Sequence, residues 1–254
     1  MFVNRIQETL DQQVESVLHD DYLRNLANRV LNLAEETWRA NNHLTVSSQP
    51  ISLEIGGAGG ITKSLRPDFV ITDIRACRGV DLILDATELP FENSTFDIVY
   101  AVDVIHHITD LNKLFSEINR VLKPGGVFFI REPYWGPVAQ MVWRFLHPED
   151  FSVKRLFKVS LEIDPMIGNQ ALAYAIIKKP SLLPANLIPA ELSLHRLGET
   201  TGVAFLLSGG ATFRTKISRK MLIRLESWEL KHPKWLKIFG FSVSFCLMKK
   251  LKSK

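Results

Sequence analysis

Leu53-Glu54-Ile55-Gly56-Gly57-Ala58-Gly59-Gly60 is the stretch on which the reading of the chain turns. An apolar run ends in a cluster of glycines, which predicts a buried strand over 51–55 that breaks into a glycine-rich turn. With no side chains in the way, the backbone N–H groups of such a turn can approach a bound ligand closely. Glycine also serves ordinary tight turns, so the meaning of this one depends on the strands and carboxylates C-terminal to it.

Downstream, short apolar runs alternate with turns and helices, the mark of a parallel sheet with crossover connections. Strands are predicted at Ile51-Ile55, Phe69-Thr72, Asp81-Leu84, Phe96-Ala101, Val127-Arg131, Gly202-Ser208 and Ser242-Lys249. Between Asp73 and the third strand lie too few residues for a crossover helix. Leu111, Leu114, Phe115, Ile118 and Val121 share one helical face, and Lys123-Pro124-Gly125-Gly126 ends that helix. Apolar spacing predicts two helices over 4–40 and another over 219–229. The expected fold is α/β and Rossmann-like: a seven-stranded, mostly parallel sheet with helices on both faces and a substrate-facing insertion. The chain divides accordingly into a helical segment over 1–50, a ligand-binding core over 51–133, an insertion or lid over 134–201, and C-terminal elements over 202–254 that complete the sheet.

With 46% hydrophobic and 23% charged residues in 254, the chain has enough apolar material for one sizeable core. Neither a leader sequence nor an apolar run approaching the roughly 18 residues of a membrane span is read in it. Cys77 and Cys246 stand far apart without metal-ligand spacing and read as free thiols, which suits a cytoplasmic protein. Charge is uneven. Twelve Lys/Arg stand against Glu226 and Glu229 from Phe213 onward, a net +10 that leaves −6 for the remainder of a chain whose total is +4. Interleaved with Trp235, Phe239 and Phe241, this basic end is either a solvated face or a surface for peripheral contact with anionic membrane on its inner side.

Carboxylates recur at predicted strand ends. Asp73 closes the second strand, where it can accept hydrogen bonds from ribose hydroxyls, and Asp85-Ala86 closes the third, where a carboxylate and a backbone N–H can read an adenine edge. His106 and His107 follow the fourth strand and Glu132 the fifth, all on the edge where open α/β sheets bind ligands. Each of the three is a candidate base or substrate contact, at most one of the adjacent histidines facing the ligand, against the structural alternatives of a loop hydrogen bond for a histidine and a salt bridge to Arg131 or a capped loop for the glutamate. His147 and Glu149 either fold over the site or cap a helix. Asp103, His106 and His107 sit on one short turn and cannot converge on a metal, so none is expected.

Taken in order, LEIGGAGG, TDI, LDATELPF, FDIVYAVDVIHHITD and RVLKPGG resemble the class I S-adenosylmethionine (SAM)-dependent methyltransferases of the type 11 group, over residues 51 to 132. The resemblance implies that Glu54, Gly56 and Gly57 shape a methionine pocket and that Gly60 allows close packing of the turn. It also implies that Asp73 holds the ribose, that Asp85 and Ala86 hold the adenine, and that Ala101 lines the methionine side. The family's middle glycine falls on Ala58, a departure, and the last strand is expected to run antiparallel. More loosely, Glu132-Pro133, Phe145-Leu146-His147-Pro148-Glu149, Asn169-Gln170-Ala171 and Leu206-Leu207-Ser208-Gly209-Gly210 resemble bacterial members with unassigned or cell-surface saccharide substrates. The expected reaction is methyl transfer to a small-molecule acceptor, at a hydroxyl, a sugar or lipid-linked saccharide being one such acceptor. A nicotinamide-dependent oxidoreductase and a catalytically silent SAM-fold partner subunit are the rival readings. Nucleic-acid methylation is disfavoured because no Asn/Asp-Pro-Pro-aromatic segment follows the fourth strand.

Overall fold

The computed structural model describes residues 12, 14–43, 48–57, 60–145, 151–156, 168–210 and 215–251. Helix α1 (Asp21–Asn41) begins where the Asp20 side chain accepts hydrogen bonds from the Tyr22 and Leu23 N–H groups. Its buried face, Leu26, Val30, Leu31, Ala34 and Trp38, packs on Phe69, Ile71, Ile98, Tyr100 and Phe129 of the sheet. Of the other helix expected over 4–40, residues 14–18 are helical, while 1–11 and 13 lie outside the described residues.

Strands β1 (Ser52–Ile55), β2 (Val70–Asp73), β3 (Leu82–Ile83), β4 (Phe96–Val102) and β5 (Leu122–Pro133) pair in parallel, with the short α2 (Ile61–Leu65) after β1. The amphipathic α3 (Leu111–Val121) is capped by Asp110, whose Oδ1 accepts from the Lys113 N–H, and it stops where β5 starts. Its apolar side joins Leu53, Ile55, Val99, Ala101, Phe128 and Ile130 in a second core on the opposite face of the sheet from α1. Lys123-Pro124-Gly125-Gly126, expected as a turn ahead of the strand, falls inside β5 instead, where it produces a register shift in the β4–β5 ladder, and Asn41 and Asn42 at the end of α1 donate to the Gly125 carbonyl.

Beyond β5 come α4 (Pro137–Phe145), α5 (Leu172–Lys178), β6 (Leu192–Thr201), α6 (Val203–Ser208), α7 (Arg219–Leu230), α8 (Pro233–Phe239) and β7 (Ser242–Lys249). The seven strands lie in the order β3-β2-β1-β4-β5-β7-β6, with β7 antiparallel to both of its neighbours. This is the Rossmann-like, mostly parallel sheet expected from the sequence pattern, with the antiparallel last strand that the family resemblance implies.

One strand is misplaced in the sequence reading. Residues 203–208 are helix, because the Glu229 carboxylate accepts from the Val203 and Ala204 N–H groups and starts a turn there. The seventh strand is instead β6, inside the span read as insertion. It is an edge strand with an exposed middle, and Gly198 sits at a register shift that interrupts its alternation. Helix α1 is tied to the C-terminal half by the Arg29–Glu226 ion pair, the Tyr22 hydroxyl donating to Glu226, and Arg29 donating to the Thr200 carbonyl.

Candidate functional site

A cavity of about 940 Å³ opens at the carboxyl ends of β1, β2 and β4. That volume lies near the top of the roughly 300–1,000 Å³ range of ligand pockets. Three groups of residues line it.

The first group is the glycine turn and its carboxylates. Gly56 adopts φ +68°, and a Cβ there would lie 2.5 Å from Val104 Cγ2, so the turn and the segment after β4 touch directly. Gly60, at φ +69°, is pressed against the Arg78 carbonyl, which a Cβ would meet at 2.7 Å. Beside the turn, Glu54 is buried and its Oε1 accepts from the Thr62 hydroxyl at 2.9 Å. Burial pushes its pKa up to about 7, the Thr62 hydrogen bond opposing the rise and the nearby Asp73 charge adding to it. Asp73 is buried as well, its Oδ1 accepting from the Arg75 backbone N–H and Nε. Among the described residues no hydrogen bond occupies its Oδ2. Asp85 and Ala86 also line the cavity, Asp85 Oδ1 accepting from the Thr87 N–H and hydroxyl.

A second group lies past β4 and β5: Asp103, Val104, His107, Ile108, Lys113 and Arg131. Arg131, buried in β5, donates to Asp103 and fixes a polar corner. The third group is apolar. Leu23, Leu26, Ala27, Val30 and Leu31 of α1 form one wall, with Phe205 of α6 on it.

Glu54, Gly56, Gly57, Asp73, Asp85, Ala86 and His107 therefore lie around one cavity, although they come from separate places in the sequence. Several others do not. Ala101 is buried in the core on the α3 face and does not line the cavity, because alternation along β4 turns it away. Gly60 packs behind the turn. His106 and Glu132 correct the expectation that they face a substrate: both are buried, Glu132 fully. Glu132 does not pair with Arg131, which turns to Asp103. Its Oε1 accepts from the Val104 and Ile105 N–H groups and its Oε2 lies 2.5 Å from His106 Nδ1, so this carboxylate holds the turn that carries His107. Ala58, His147 and Glu149 lie outside the described residues. Among the described residues no group of three or more His, Cys, Asp or Glu side chains is placed to hold a metal.

Sequence reasoning missed the wall formed by α1 and Phe205, and the Asp103–Arg131 corner. The apolar spacing of α1 reads equally well as core, so it gave no signal of a ligand. Arg131 at a strand end was visible, but its partner was not.

A nucleoside attached to an amino acid fits these residues. Two buried carboxylates stand side by side, Asp73 with an uncommitted oxygen for hydroxyls and Glu54 for a cationic group, and the glycine turn has no room for a side chain at Gly57, where a Cβ would meet Ile71 Cγ2 at 2.3 Å and Glu54 Oε2 at 2.9 Å.

Residues 60–130 match the family model described as a methyltransferase domain. Over 46 residues, 18% of this chain and 14% of the relative, the sequence is 50% identical to the sterol 4-C-methyltransferase strm-1 of Caenorhabditis elegans. It is 32% identical over 106 residues to phthiotriol/phenolphthiotriol dimycocerosates methyltransferase 1 of Mycobacterium ulcerans, covering 35% of this chain and 39% of that one. The chain thus spans well under half the length of these curated relatives. Among solved structures, a SAM-dependent methyltransferase from Archaeoglobus fulgidus superposes with a TM-score of 0.44 at 16% identity, over 89% of this chain and 94% of its own. Over residues 60–130 the chain is thus similar to the SAM-dependent methyltransferases of the type 11 group.

Proposed function

We propose that the protein transfers a methyl group from SAM to a hydroxyl of a small molecule with an apolar body. The observation that carries this reading is that one cavity is lined by Glu54, Asp73 and Asp85, by His107, Asp103 and Arg131, and by the apolar residues of α1 with Phe205. Leu23 to Leu31 gives the apolar wall about 12 Å of helix. The relatives named for sterols and for phthiotriol dimycocerosates, both largely apolar molecules, agree with such an acceptor.

When bound, SAM supplies a methyl group on a positively charged sulfur. Gly56, Gly57 and Glu54 would hold its methionine portion, Asp73 its ribose hydroxyls, and Asp85 and Ala86 its adenine. The protein's contribution is mostly alignment, since a nucleophile held in line at near-attack distance needs little further help. The apolar wall would orient the acceptor's body and exclude water, leaving its hydroxyl at the polar corner. There an imidazole nitrogen of His107 would take the hydroxyl proton. Arg131 and Asp103, locked together, would hydrogen-bond the acceptor's polar end.

Calorimetry with S-adenosylhomocysteine and with NAD tests the cofactor half, and only the former is expected to bind. Labelled methyl transfer from SAM to alcohols of increasing chain length tests the acceptor half, with turnover expected to rise with length. Ala27→Trp, which fills the apolar compartment, should keep S-adenosylhomocysteine affinity and lose transfer to the long alcohols. Binding of NAD alone, or transfer indifferent to apolar size, would overturn the corresponding half.

A further inference from the structure

We infer that α4, α7 and α8 form a face that docks the protein peripherally on a bilayer containing anionic lipid. Met141 and Phe145 on α4, Trp228 and Leu230 on α7, and Ile238 on α8 are large apolar side chains left exposed, Phe145 at 78%. The helices adjoin one another: α8 packs against both α4 and α7, and Trp143 of α4 meets the Phe241 ring edge-on. Across the α7–α8 corner runs an aromatic ladder, with Trp228 at 5.4 Å from Trp235 and Trp235 stacked at 4.0 Å on Phe239. The indole N–H of Trp235 donates inward to the buried Glu229, so its polar atom is satisfied inside the protein.

Charge selects the occupant. Lys231, Lys234 and Lys237 are exposed beside the ladder, and no salt bridge to them exists among the described residues. From Leu230 to the last residue the sequence has no Asp or Glu. Indole rings with lysines snorkelling beside them suit the headgroup layer of an anionic bilayer, where each cation gains from the surface potential and each apolar tip from shallow insertion. A patch built to dock on a second copy of the chain would have to bring these lysines against their own kind. No helix among the described residues is long and apolar enough to cross a membrane, so the contact would be superficial.

The face also lies at the edge of the sheet where the cavity opens. Pro133 at the end of β5 and Thr201 at the end of β6 both pair with Ser242, the first residue of β7. Helices α4 and α6, which follow these strands, and α8, which leads into β7, consequently lie at one edge with α7 packed on α6 and α8, and Phe205 of α6 lines the cavity. Docking would place the cavity close to the bilayer, the source an apolar acceptor would come from.

Co-sedimentation with mixed phosphatidylglycerol–phosphatidylcholine vesicles and with pure phosphatidylcholine vesicles tests this. Binding is expected to the mixed vesicles only, to weaken with salt, and to fall by about tenfold or more in the Lys231→Glu/Lys234→Glu/Lys237→Glu variant. A second variant, Trp228→Ser/Ile238→Ser, should also weaken it, which charge attraction alone would not. Affinity for S-adenosylhomocysteine, measured on each variant, reports that the fold is kept. Its absence in the unaltered protein would count against the methyltransferase reading and leave the docking result standing. Equal binding to both vesicle types, or loss with neither variant, would overturn the proposal. So would a concentration-dependent dimer in sedimentation that Trp228→Ser/Ile238→Ser dissolves, which would identify the occupant as a second copy.

Discussion

Glu132 Oε2 and His106 Nδ1 face each other 2.5 Å apart in the interior, and the other oxygen of the same carboxylate receives two backbone N–H groups, those of Val104 and Ile105. One side chain at the end of β5 thereby fixes the whole turn after β4, and with it the position of His107 at the cavity. Removing a buried partner of this kind leaves several groups unsatisfied at once. Glu132→Ala should cost about 3–5 kcal/mol in denaturant unfolding. Glu132→Gln retains an acceptor oxygen and should fold and bind S-adenosylhomocysteine normally, yet turn over more slowly through misplacement of His107. His107→Ala should spare binding and lower turnover in the same way. Full activity in His107→Ala would remove it as the base.

Glu54 makes stability and cofactor binding depend on pH in opposite ways. Its pKa rises on folding, from an ordinary 4.5 to about 7, chiefly through burial. The folded state then holds the proton more tightly than the unfolded chain does. The group contributes nothing unfavourable below about pH 4.5, costs progressively more as the pH rises, and reaches its full cost above about pH 7, on the order of 3 kcal/mol. Glu54→Gln keeps an acceptor for Thr62 and should stabilise the free protein at pH 8 while changing little at pH 4.5. A cationic ligand favours the ionised carboxylate, so SAM affinity should rise between pH 6 and 8 in the unaltered protein and become flat in Glu54→Gln. Thermal unfolding and calorimetry across that range check both.

Much of this architecture was legible because it depends on local pattern. The apolar face of α3, the strands from Ser52 to Pro133 and the glycine turn all declare themselves within a few residues. The order of carboxylates at strand ends was legible too, since a parallel sheet brings every such end to one edge. What escaped was set by distant contacts. Val203 to Ser208 is apolar enough for a strand and becomes helix through Glu229, more than twenty residues on. The edge strand β6 carries His195, Arg196 and Glu199 on a half-exposed ribbon and so lacks the apolar signature of its neighbours. Glu132 looked like a site residue because its position on the edge was readable, whereas the direction of its side chain depends on Val104, Ile105 and His106.

Asp73 offers the most direct test of the cofactor assignment. Its Oδ1 is held by Arg75, while its Oδ2 is uncommitted among the described residues and borders the cavity. Two hydrogen bonds from ribose hydroxyls to a charged acceptor contribute about 3 kcal/mol together, or roughly a hundredfold in affinity. Asp73→Ala should therefore weaken S-adenosylhomocysteine by at least that factor in calorimetry while unfolding at a nearly unchanged temperature. Asp73→Asn, which keeps an acceptor but loses the charge, should fall between. Unchanged affinity in both would show that the ribose lies elsewhere.

Glu229 separates acceptor binding from cofactor binding. Buried at the centre of the C-terminal half, it accepts from the Val203 and Ala204 N–H groups that start α6 and from the Trp235 indole. The helix it starts carries Phe205, which lines the cavity together with the apolar residues of α1. Glu229→Ala exposes these donors to a cavity without partners, at about 1–3 kcal/mol for a buried unsatisfied group, and should loosen α6. The expected result is a lower unfolding temperature and a raised KM for a long-chain alcohol acceptor, with S-adenosylhomocysteine affinity retained. Phe205→Ala, which removes only the ring, should raise that KM with a smaller loss of stability. If both variants instead weaken S-adenosylhomocysteine and leave the acceptor KM alone, the apolar wall belongs to the cofactor and the acceptor enters from the β5 side.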